Sequence, residues 1–287
     1  MLVNRLAFIK MQAVGNDFVL VNESDTADDD WPRLSMALCN RRFGVGGDGL
    51  LVVGESDVAD ARMRMFNPDG TEDMCGNGLR CVIHHAHAAA GRLPAAGTIE
   101  TLAGVRGFRV NPDGTITTDM GIPHFAPADL PMTVPGRARV LDFPLPLDAD
   151  FLCVSVVSTG TTHTVVFVDE LPNDERFLRL SPRIENHPLF PERTSVLWTK
   201  VEPPNTLRLR IWERGVGETL GCGTGACAAA VLARVQGKIN GFGPVAVASK
   251  GGTLHVDWAG GVNDPISLTG RAHVVYTGHI DVPTAAL

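Results

Sequence analysis

The chain has 287 residues, of which 44% are apolar and 20% charged, and its formal net charge is −7. This composition is typical of globular proteins, and the length suggests about two domains. It excludes disorder or a coiled coil throughout. The longest apolar runs fall well short of the roughly 18 residues that span a bilayer. No basic stripe is present, so we expect neither nucleic acid nor a membrane as a partner.

The cysteines, histidines and lysines indicate which cofactors to expect. The first ten residues are too short and too polar for a secretory signal, so we expect a cytoplasmic location and reduced thiols. No CxxC pair occurs, and His84, His85 and His87 would point to different faces of one helix, so we predict no metal site. None of the four lysines has a Schiff-base setting, and we predict no cofactor.

The N-terminal segment predicts two strands, residues 8–11 and 18–21, around a turn. An acidic loop (residues 25–30) and a helix over residues 34–41 follow. The segment Gly44-Val45-Gly46-Gly47-Asp48-Gly49 satisfies the GxGxxG pattern. It follows a helix and precedes a strand, which is the reverse of a dinucleotide-binding fingerprint. Two interpretations stay open: a turn that brings backbone amides to a ligand, or a purely structural turn.

Strands dominate the remainder of the predicted elements. In the first half they cover residues 62–67, 97–110 and 115–120. Residues 121–150 contain six prolines and are the predicted domain boundary. In the second half the predicted strands cover residues 151–157, 164–169, 195–201, 207–212, 245–249, 253–258, 266–269 and 272–276.

A weak internal repeat relates the two halves. Each copy has a strand ending in an aromatic residue, a polar turn, a Cys-Gly-polar-Gly segment and an alanine-rich helix. The copies are Phe66-Asn67-Pro68-Asp69-Gly70 with Cys75-Gly76-Asn77-Gly78, and Trp212-Glu213-Arg214-Gly215 with Cys222-Gly223-Thr224-Gly225. The helices are predicted over residues 79–90 and 226–235, with Gly91 and Gly237 as stops. We therefore predict a pseudo-twofold protein with its site between the halves.

Cys75 and Cys222 are the residues most suited to chemistry. Each precedes a helix whose first turn is glycine-rich, so backbone N–H groups and the positive end of the helix dipole face the sulfur. That environment lowers the pKa of a thiol. The other cysteines, which are Cys39, Cys81, Cys153 and Cys227, are predicted to be small core residues.

Two activated thiols, one from each half, suit the inversion of a stereocentre without a cofactor. One thiolate takes a proton from one face of a carbon, and the opposing thiol returns a proton to the other face. The reverse reaction exchanges the two roles. Helix N-termini aimed at a substrate carboxylate would stabilise the developing carbanion.

In its repeat and its paired cysteines, the chain resembles the diaminopimelate epimerase family. Matching segments occur in the family's order along nearly the whole chain. They are Gly15-Asn16-Asp17-Phe18, Arg42-Phe43-Gly44-Val45-Gly46, Met65-Phe66-Asn67-Pro68-Asp69-Gly70, Met74-Cys75-Gly76-Asn77-Gly78, Trp212-Glu213-Arg214-Gly215 with Gly217-Glu218-Thr219-Leu220, Cys222-Gly223-Thr224-Gly225-Ala226-Cys227 and Leu268-Thr269-Gly270.

The resemblance implies an α/β fold of two similar domains, each a mixed sheet wrapped around a central helix. The expected domains are residues 1–121 and 122–272, with a final strand, about 273–287, returning to the first. The implied reaction is cofactor-independent epimerisation of LL-2,6-diaminopimelate to the meso isomer, in lysine and peptidoglycan precursor biosynthesis.

The resemblance also implies the site residues. Cys75 and Cys222 form the acid–base pair, and His163 and Glu213 match residues that tune the thiols. Implied substrate contacts are Asn16, Asn67, Gly76, Asn77, Thr161, Ser195, Glu213, Arg214, Gly223 and Thr224. The expected partner is a small amino acid; the oligomeric state, a homodimer included, stays open.

Two departures from the family pattern concern substrate choice. The family has Gly-Asn-Pro-His where this chain has Gly160-Thr161-Thr162-His163. It also has an asparagine where Ser195 stands, and both asparagines are associated with the distal end of diaminopimelate. The alternatives are a racemase or epimerase of this fold for another amino acid, a phenazine-biosynthesis-type isomerase, which lacks the paired cysteines, and a non-catalytic amino-acid-binding protein.

Overall fold

The structure, a computed structural model, describes residues 3–25, 30–89, 91–134, 137–147, 150–202, 204–239 and 243–283. Parts of four predicted features lie outside the described residues: the acidic loop at 26–29, Ala90 of the first alanine-rich helix, Pro135 and the end of the last strand at 284–287. No helix in the described part of the chain is long and apolar enough to cross a bilayer.

The chain folds as two compact units. Unit 1 comprises Met1–Thr118 and Gly270–Leu287, and unit 2 comprises Asp119–Thr269. Both contain a mixed β-sheet and α-helices, so the predicted α/β class with two similar domains is confirmed.

Strands outnumber helices in both units. The strands are β1 (Val3–Ala13), β2 (Asn16–Asn22), β3 (Gly49–Gly54), β4 (Ala61–Phe66), β5 (Glu72–Asp73), β6 (Ala96–Thr101), β7 (Gly104–Val110), β8 (Ile116–Asp119), β9 (Val140–Leu147), β10 (Asp150–Ser158), β11 (Thr162–Phe167), β12 (Ser195–Glu202), β13 (Thr206–Glu213), β14 (Gly217–Thr219), β15 (Val245–Ser249), β16 (Gly252–Asp257), β17 (Ser267–Gly270) and β18 (His273–Pro283). The helices are α1 (Trp31–Leu38), α2 (Gly76–His84), α3 (Asp174–Glu185) and α4 (Gly223–Val235).

In unit 1 the sheet wraps around α2. Strand β2 pairs antiparallel with β1 and parallel with β3, and β4 pairs antiparallel with β3 and parallel with β6. Strands β7 and β8 extend the sheet beyond β6, and β18 pairs antiparallel with β1. Helix α2 packs against β1, β2, β3 and β4, which makes it the central helix of the unit.

The middle strands of unit 1 are buried on both faces. On β3, Leu51 and Val53 belong to the cluster around α2, whereas Leu50 and Val52 belong to the cluster around α1. Adjacent residues of a strand point to opposite faces, so a strand covered by helices on both sides reads as a continuous apolar run. This is why the segment around Leu50 lacks the polar alternation of an exposed strand.

Unit 2 repeats the order of elements found in unit 1. Strand β11 pairs antiparallel with β10 and parallel with β12, and β13 pairs antiparallel with β12 and parallel with β15. Strands β16 and β17 follow β15, and β9 pairs with β10 as β18 pairs with β1. Helix α4 packs against β10, β11, β12, β13, β15 and β16, while α3 covers the other face of β12 through Phe177, Leu180 and Trp198.

Three elements of unit 2, which are strand β9, helix α3 and the short strand β14, were missing from the sequence-based prediction. Strand β9 lies inside the proline-rich segment that was interpreted as a domain boundary. Pro144 and Pro146 are tolerated there, because β9 pairs with β10 as an outer strand. Helix α3 contains Pro182, yet its Asn173 cap was a readable start signal.

The alanine-rich helices begin earlier than their predicted apolar spans. Helix α2 begins at Gly76 and α4 at Gly223, so the glycine-rich residues form the first turn, as expected from the sequence. Helix α2 ends at His84 and continues as a π-helical turn, His85–Ala89. The prediction of buried cysteines holds for Cys39, Cys81 and Cys227 but is wrong for Cys153, which lies exposed on β10.

We predict that Leu79→Ala destabilises the chain. Leu79 is fully buried on α2, so the substitution leaves a cavity in the core of unit 1. The free energy of unfolding should fall by about 2–5 kcal/mol, measured by denaturant titration. Leu178→Ala, on the exposed face of α3, is the matched control, with an expected change within about 0.5 kcal/mol. Equal effects of the two substitutions would contradict the placement of α2 at the centre.

Candidate active site

Cys75 is the N-cap residue of α2, in unit 1. Its backbone is extended (φ −132°, ψ 120°), and the helix begins at the next residue. A Cβ placed on Gly78 would lie 2.7 Å from Cδ2 of Leu51, so the first turn of α2 can approach β3 only because residue 78 is glycine. The half-buried sulfur of Cys75 therefore sits at the open end of a helix pressed against the sheet.

The Cys75 thiol belongs to a chain of amide groups. It donates a hydrogen bond to Oδ1 of Asn16, at 3.5 Å, and Nδ2 of Asn77 donates to the same oxygen at 3.3 Å. Nδ2 of Asn16 donates in turn to Oδ2 of Asp48, at 2.7 Å. At the other end, the guanidinium of Arg80 donates to Oδ1 of Asn77. The structure thus brings the predicted contacts Asn16 and Asn77 together beside Cys75.

The glycine-rich loop before β3 uses its amides within the protein. The N–H groups of Gly44, Gly46 and Gly47 donate to the carbonyls of Asn40, Leu38 and Cys39. The N–H of Asp48 donates to Asp17 O at 2.7 Å. Of the two interpretations left open by the sequence, these bonds favour the structural helix-to-strand turn. The loop's contribution to the site is the side chain of Asp48.

Asn67, another predicted substrate contact, lies in the turn between β4 and β5. Its backbone N–H and its Nδ2 both donate to Thr71, at 2.8 and 3.1 Å, and its carbonyl accepts from Ser35 Oγ at 2.7 Å. These bonds hold the turn that leads through β5 to Cys75. Gly76, also predicted as a contact, is the first residue of α2, and its carbonyl accepts from Arg80.

Cys222 occupies the same position in unit 2, as the N-cap of α4. Its backbone angles, φ −129° and ψ 120°, nearly equal those of Cys75. A Cβ on Gly225 would lie 2.9 Å from Cδ2 of Leu197, so close helix–strand packing recurs. The N–H of Gly225 points at the Cys222 sulfur (3.4 Å), and Thr224 Oγ1 lies 3.4 Å from it.

The expectation of a lowered thiol pKa is wrong for Cys222. Burial raises the pKa of Cys222 well above its usual value, and the negative charge of Glu213 raises it further. The hydrogen bonds of Thr224 and Gly225 act in the opposite direction but do not overcome the loss of hydration. The protonated thiol is therefore the favoured form of Cys222, and this is the form that carries a proton to donate.

Glu213 stands at the end of β13, within hydrogen-bonding reach of Cys222. Its Oε1 accepts from Thr219 Oγ1 at 2.5 Å. The turn that follows is held by the buried carboxylate of Glu185, which accepts from Trp212 Nε1 at 2.6 Å and from the N–H of Gly215 at 2.8 Å. Because Glu185 binds both Trp212 and Gly215, it fixes the two residues between these donors, Glu213 and Arg214.

His163 is buried on β11 and neutral. Burial lowers its pKa to about 3, and the nearby charge of Arg214 contributes to the shift. Its Nε2 shares a hydrogen bond with Thr161 Oγ1 at 3.1 Å, while its buried Nδ1 finds no partner among the described residues. The neighbouring strand places Ser195 beside it, and Ser195 Oγ accepts from the N–H of Arg214 at 3.1 Å.

The remaining predicted contacts of unit 2 surround the same end of α4. Gly223 and Thr224 form its first turn, and Thr159 Oγ1 donates to the Thr224 carbonyl at 2.8 Å. The guanidinium of Arg214 donates to Glu192 O at 3.1 Å. Hydrogen bonds and strand pairing in unit 2 therefore bring together seven predicted site residues, which are Thr161, His163, Ser195, Glu213, Arg214, Cys222 and Thr224.

Asp48 and Glu185 were missed as contributors by the sequence analysis. Asp48 lies inside a motif that was considered only for its glycines, and Glu185 ends a helix that was not predicted. Nothing in the sequence alone marks Glu185. Asp48 could have been found, because it is an acidic side chain among small residues before a buried strand. Within the described residues, no group of three or more His, Cys, Asp or Glu side chains could hold a metal ion.

Comparison with known sequences gives the family. The model of the family described as diaminopimelate epimerase matches residues 8–126 and 155–275. The chain belongs to the diaminopimelate epimerase family. A diaminopimelate epimerase of Thioalkalivibrio sulfidiphilus (strain HL-EbGR7) is 41% identical over 286 residues, covering 97% of this chain and 100% of the relative. One from Moorella thermoacetica is 40% identical over 277 residues, covering 94% and 98%.

Solved structures share the fold of this family member. A probable proline racemase from Agrobacterium radiobacter K84 superposes with a TM-score of 0.71 at 15% identity, covering 97% of this chain and 93% of that one. A phenazine biosynthesis protein of the PhzF family from Bacillus anthracis gives 0.67 at 21% identity, covering 97% and 99%. At such identities these likenesses concern the fold alone.

The pKa of His163 predicts how stability depends on pH. Because its folded value, about 3, lies below the roughly 6.5 of an unfolded histidine, the unfolded chain binds the extra proton between these values. Stability therefore falls as pH drops below 6.5. His163→Gln should flatten this acid limb by up to about 1.4 kcal/mol per pH unit, measured by urea unfolding from pH 7 to 4. The control is His279→Gln, at an exposed position; an unchanged slope in His163→Gln would contradict the burial of a neutral imidazole.

Proposed function

We propose that the chain is a diaminopimelate epimerase that inverts an α-carbon by proton transfer between Cys75 and Cys222, without a cofactor. The observation that carries the proposal is the twin placement of the two cysteines. Each is the N-cap of a central helix, with nearly equal backbone angles and a glycine at the third helical residue. The relatives of this chain that are named diaminopimelate epimerase are about 40% identical to it over nearly its whole length. The reaction belongs to lysine and peptidoglycan precursor biosynthesis.

The two cysteines take opposite roles in this mechanism. Cys222 is protonated, because burial and Glu213 raise its pKa, and it serves as the acid that protonates the carbanion. Cys75 serves as the base: its thiolate takes the α-proton, and the C–H electron pair stays on the carbon until Cys222 delivers its own proton. The reverse reaction exchanges the roles.

The carbanion needs stabilisation that the helices can supply. The first backbone N–H groups of a helix lack intrahelical acceptors and carry partial positive charge. Gly76 and Asn77 offer such groups on α2, as Gly223 and Thr224 do on α4. If these N–H groups hold the substrate carboxylate, they stabilise the negative charge that develops on the adjacent carbon as its proton leaves.

The side chains around Cys222 suit an amino-acid substrate. Arg214 can hold a carboxylate through two parallel hydrogen bonds, and Glu213 can accept from an ammonium group or influence the Cys222 proton. Neutral His163 adds no positive charge that would hold Cys222 as a thiolate. We also propose a cytoplasmic location, because all six cysteines are free thiols, as expected in a reducing compartment.

A second candidate, racemisation of another amino acid, is favoured by Thr161 and Ser195. Both hydroxyls replace asparagines that the family pattern associates with the distal end of diaminopimelate. Each is already engaged, Thr161 with His163 and Ser195 with the N–H of Arg214. Removing an amide hydrogen bond to the substrate without replacing it costs about 1.5–3 kcal/mol, and two such changes lower kcat/KM by roughly 10²–10⁴. A bridging water can recover part of this free energy.

We predict that Cys75→Ser and Cys222→Ser each abolish epimerisation while preserving the fold. A serine hydroxyl is far less acidic than a thiol, so turnover should drop by at least ~10²–10⁴-fold. The measurement is the circular dichroism change on LL-diaminopimelate, with α-proton exchange in D₂O followed in parallel. Cys153→Ser is the control, since Cys153 lies exposed on β10 and should keep full activity. Near-normal turnover in either active-cysteine variant would rule out the two-base mechanism, and binding without α-proton exchange in the unmodified protein would indicate a binding protein.

The substrate is tested by comparing kcat/KM for LL-diaminopimelate with that for amino acids with a single stereocentre. We expect diaminopimelate to be preferred. In Thr161→Asn/Ser195→Asn, added amides should raise kcat/KM for diaminopimelate unless the hydroxyls already bind its distal end. If the unmodified protein ignores diaminopimelate and racemises another amino acid, the named substrate is wrong and the two residues mark a different specificity.

A further inference from the structure

Asp48 has no role in the proton-transfer scheme above, yet it ends the chain of hydrogen bonds that runs from Arg80 through Asn77 to Asn16, which contacts the Cys75 sulfur. Its Oδ2 accepts from Asn16 Nδ2 at 2.7 Å and from the N–H of Asp17 at 3.1 Å. Its Oδ1 accepts from Arg41 at 2.7 Å. A carboxylate that accepts three hydrogen bonds in this way is fixed in position and in orientation.

The two ends of this chain determine the direction of every bond in it. An ionised carboxylate can only accept, and a guanidinium can only donate. Arg80, at one end, makes Asn77 present its oxygen to the guanidinium and its Nδ2 to Asn16. Asp48, at the other end, makes Asn16 present its Nδ2 to the carboxylate. Both charged ends therefore require that Asn16 Oδ1 faces the Cys75 thiol.

We propose that Asp48 is a positioning residue that fixes the amide of Asn16, so that its oxygen, and not its nitrogen, faces the Cys75 sulfur. An oxygen in that place accepts the S–H proton and favours the thiol. The reversed amide would donate an N–H to the sulfur and favour the thiolate. Asp48 thereby controls how readily Cys75 gives up its proton. This role rests on the proposed function of Cys75 as an acid–base group.

The charged groups near this chain support the assignment. Lys10 on β1 pairs with Asp17, and Arg41 bridges Asp17 and Asp48. Burial raises the pKa of Asp17, but hydrogen bonds from Arg41 and Lys10 outweigh it and hold the value at about 2. Asp17 therefore stays ionised near neutral pH and keeps Arg41 against Asp48. Arg80 on α2 is the fully buried cation of the group, and Asp73 lies two residues before Cys75 in the sequence.

The glycine-rich segment supplies the geometry for this role. A Cβ on Gly47 would lie 3.2 Å from both Asp17 O and Lys10 Nζ, and Gly46 has a φ of +82°. These constraints carry the backbone close past β1 and β2, so that the short side chain of Asp48 reaches Asn16. A segment that satisfies the GxGxxG pattern thus serves to place one carboxylate.

The test measures the rate of Cys75 alkylation by iodoacetamide as a function of pH, with Cys75 identified by peptide mass spectrometry. Asp48→Ala should lower the midpoint of this profile by about 0.5–1 pH unit, which makes alkylation at lower pH ~3–10-fold faster. Cys153, which is exposed on β10, is the internal reference and should not change. Asp113→Asn, in the exposed turn between β7 and β8, is the control for losing one negative charge in unit 1.

Asn16→Ala distinguishes positioning from a simple charge effect. If Asp48 acts through the amide of Asn16, Asp48→Ala should shift the profile much less in the Asn16→Ala background than alone. Equal shifts in both backgrounds, or no shift with Asp48→Ala alone, would overturn the proposal. Asp48→Asn, which keeps an acceptor in the loop, is measured in the same backgrounds in case Asp48→Ala unfolds; it should give a smaller shift in the same direction.

The experiment needs no substrate, so its outcome is separate from that of the proposed function. A protein that fails to epimerise diaminopimelate can still show the coupled shift. Conversely, an active epimerase without the shift would retain its function and lose only the role of Asp48. Circular dichroism spectra of each variant establish that the fold is intact.

Discussion

Each central helix approaches its sheet so closely that one residue of its first turn must be glycine. A Cβ on Gly78 would meet Leu51 at 2.7 Å, and one on Gly225 would meet Leu197 at 2.9 Å. The close approach sets where the helix begins, and the N-cap residue of each helix is a cysteine in extended conformation. The position of both sulfurs, and the chemistry proposed for them, depends on this packing.

The two cysteines share a backbone geometry and differ in what surrounds the sulfur. Cys222 is buried beside the carboxylate of Glu213, and both burial and that charge raise the pKa of its thiol. Cys75 is less buried and contacts a chain of amides that ends in opposite charges at Arg80 and Asp48. The two units share an order of elements, but their two cysteines have different electrostatic environments. A pair of groups that exchange the roles of acid and base does not require identical surroundings.

Two carboxylates, the buried Glu185 and the partly exposed Asp48, hold the turns on which the site residues stand. Glu185 fixes the turn after β13 through Trp212 and Gly215, and Asp48 fixes the start of β2 through Asn16 and Asp17. Each accepts at least three hydrogen bonds. A buried carboxylate such as Glu185 is costly to leave unpaired, so its partners are confined to one arrangement. Loops that carry reactive groups gain rigidity from this requirement.

The family resemblance implied the α/β class, and the sequence by itself determined the repeat of elements and the placement of Cys75 and Cys222 before helices. These features follow from local signals: apolar runs for strands buried on both faces, glycine at turns, and alanine-rich stretches between glycine stops. Local periodicity did not reveal β9 or α3, because prolines interrupt both and their stability comes from packing on β10 and β12.

Only the tertiary structure decided the electrostatics of the site. The helix N-terminus alone predicted a lowered thiol pKa, but the burial of Cys222 and its contact with Glu213 reverse that direction. The structure likewise placed Asp48 and Asn16, 32 residues apart in sequence, in one hydrogen bond. Desolvation and bond direction depend on groups brought together from distant parts of the chain, and a linear pattern carries no measure of either.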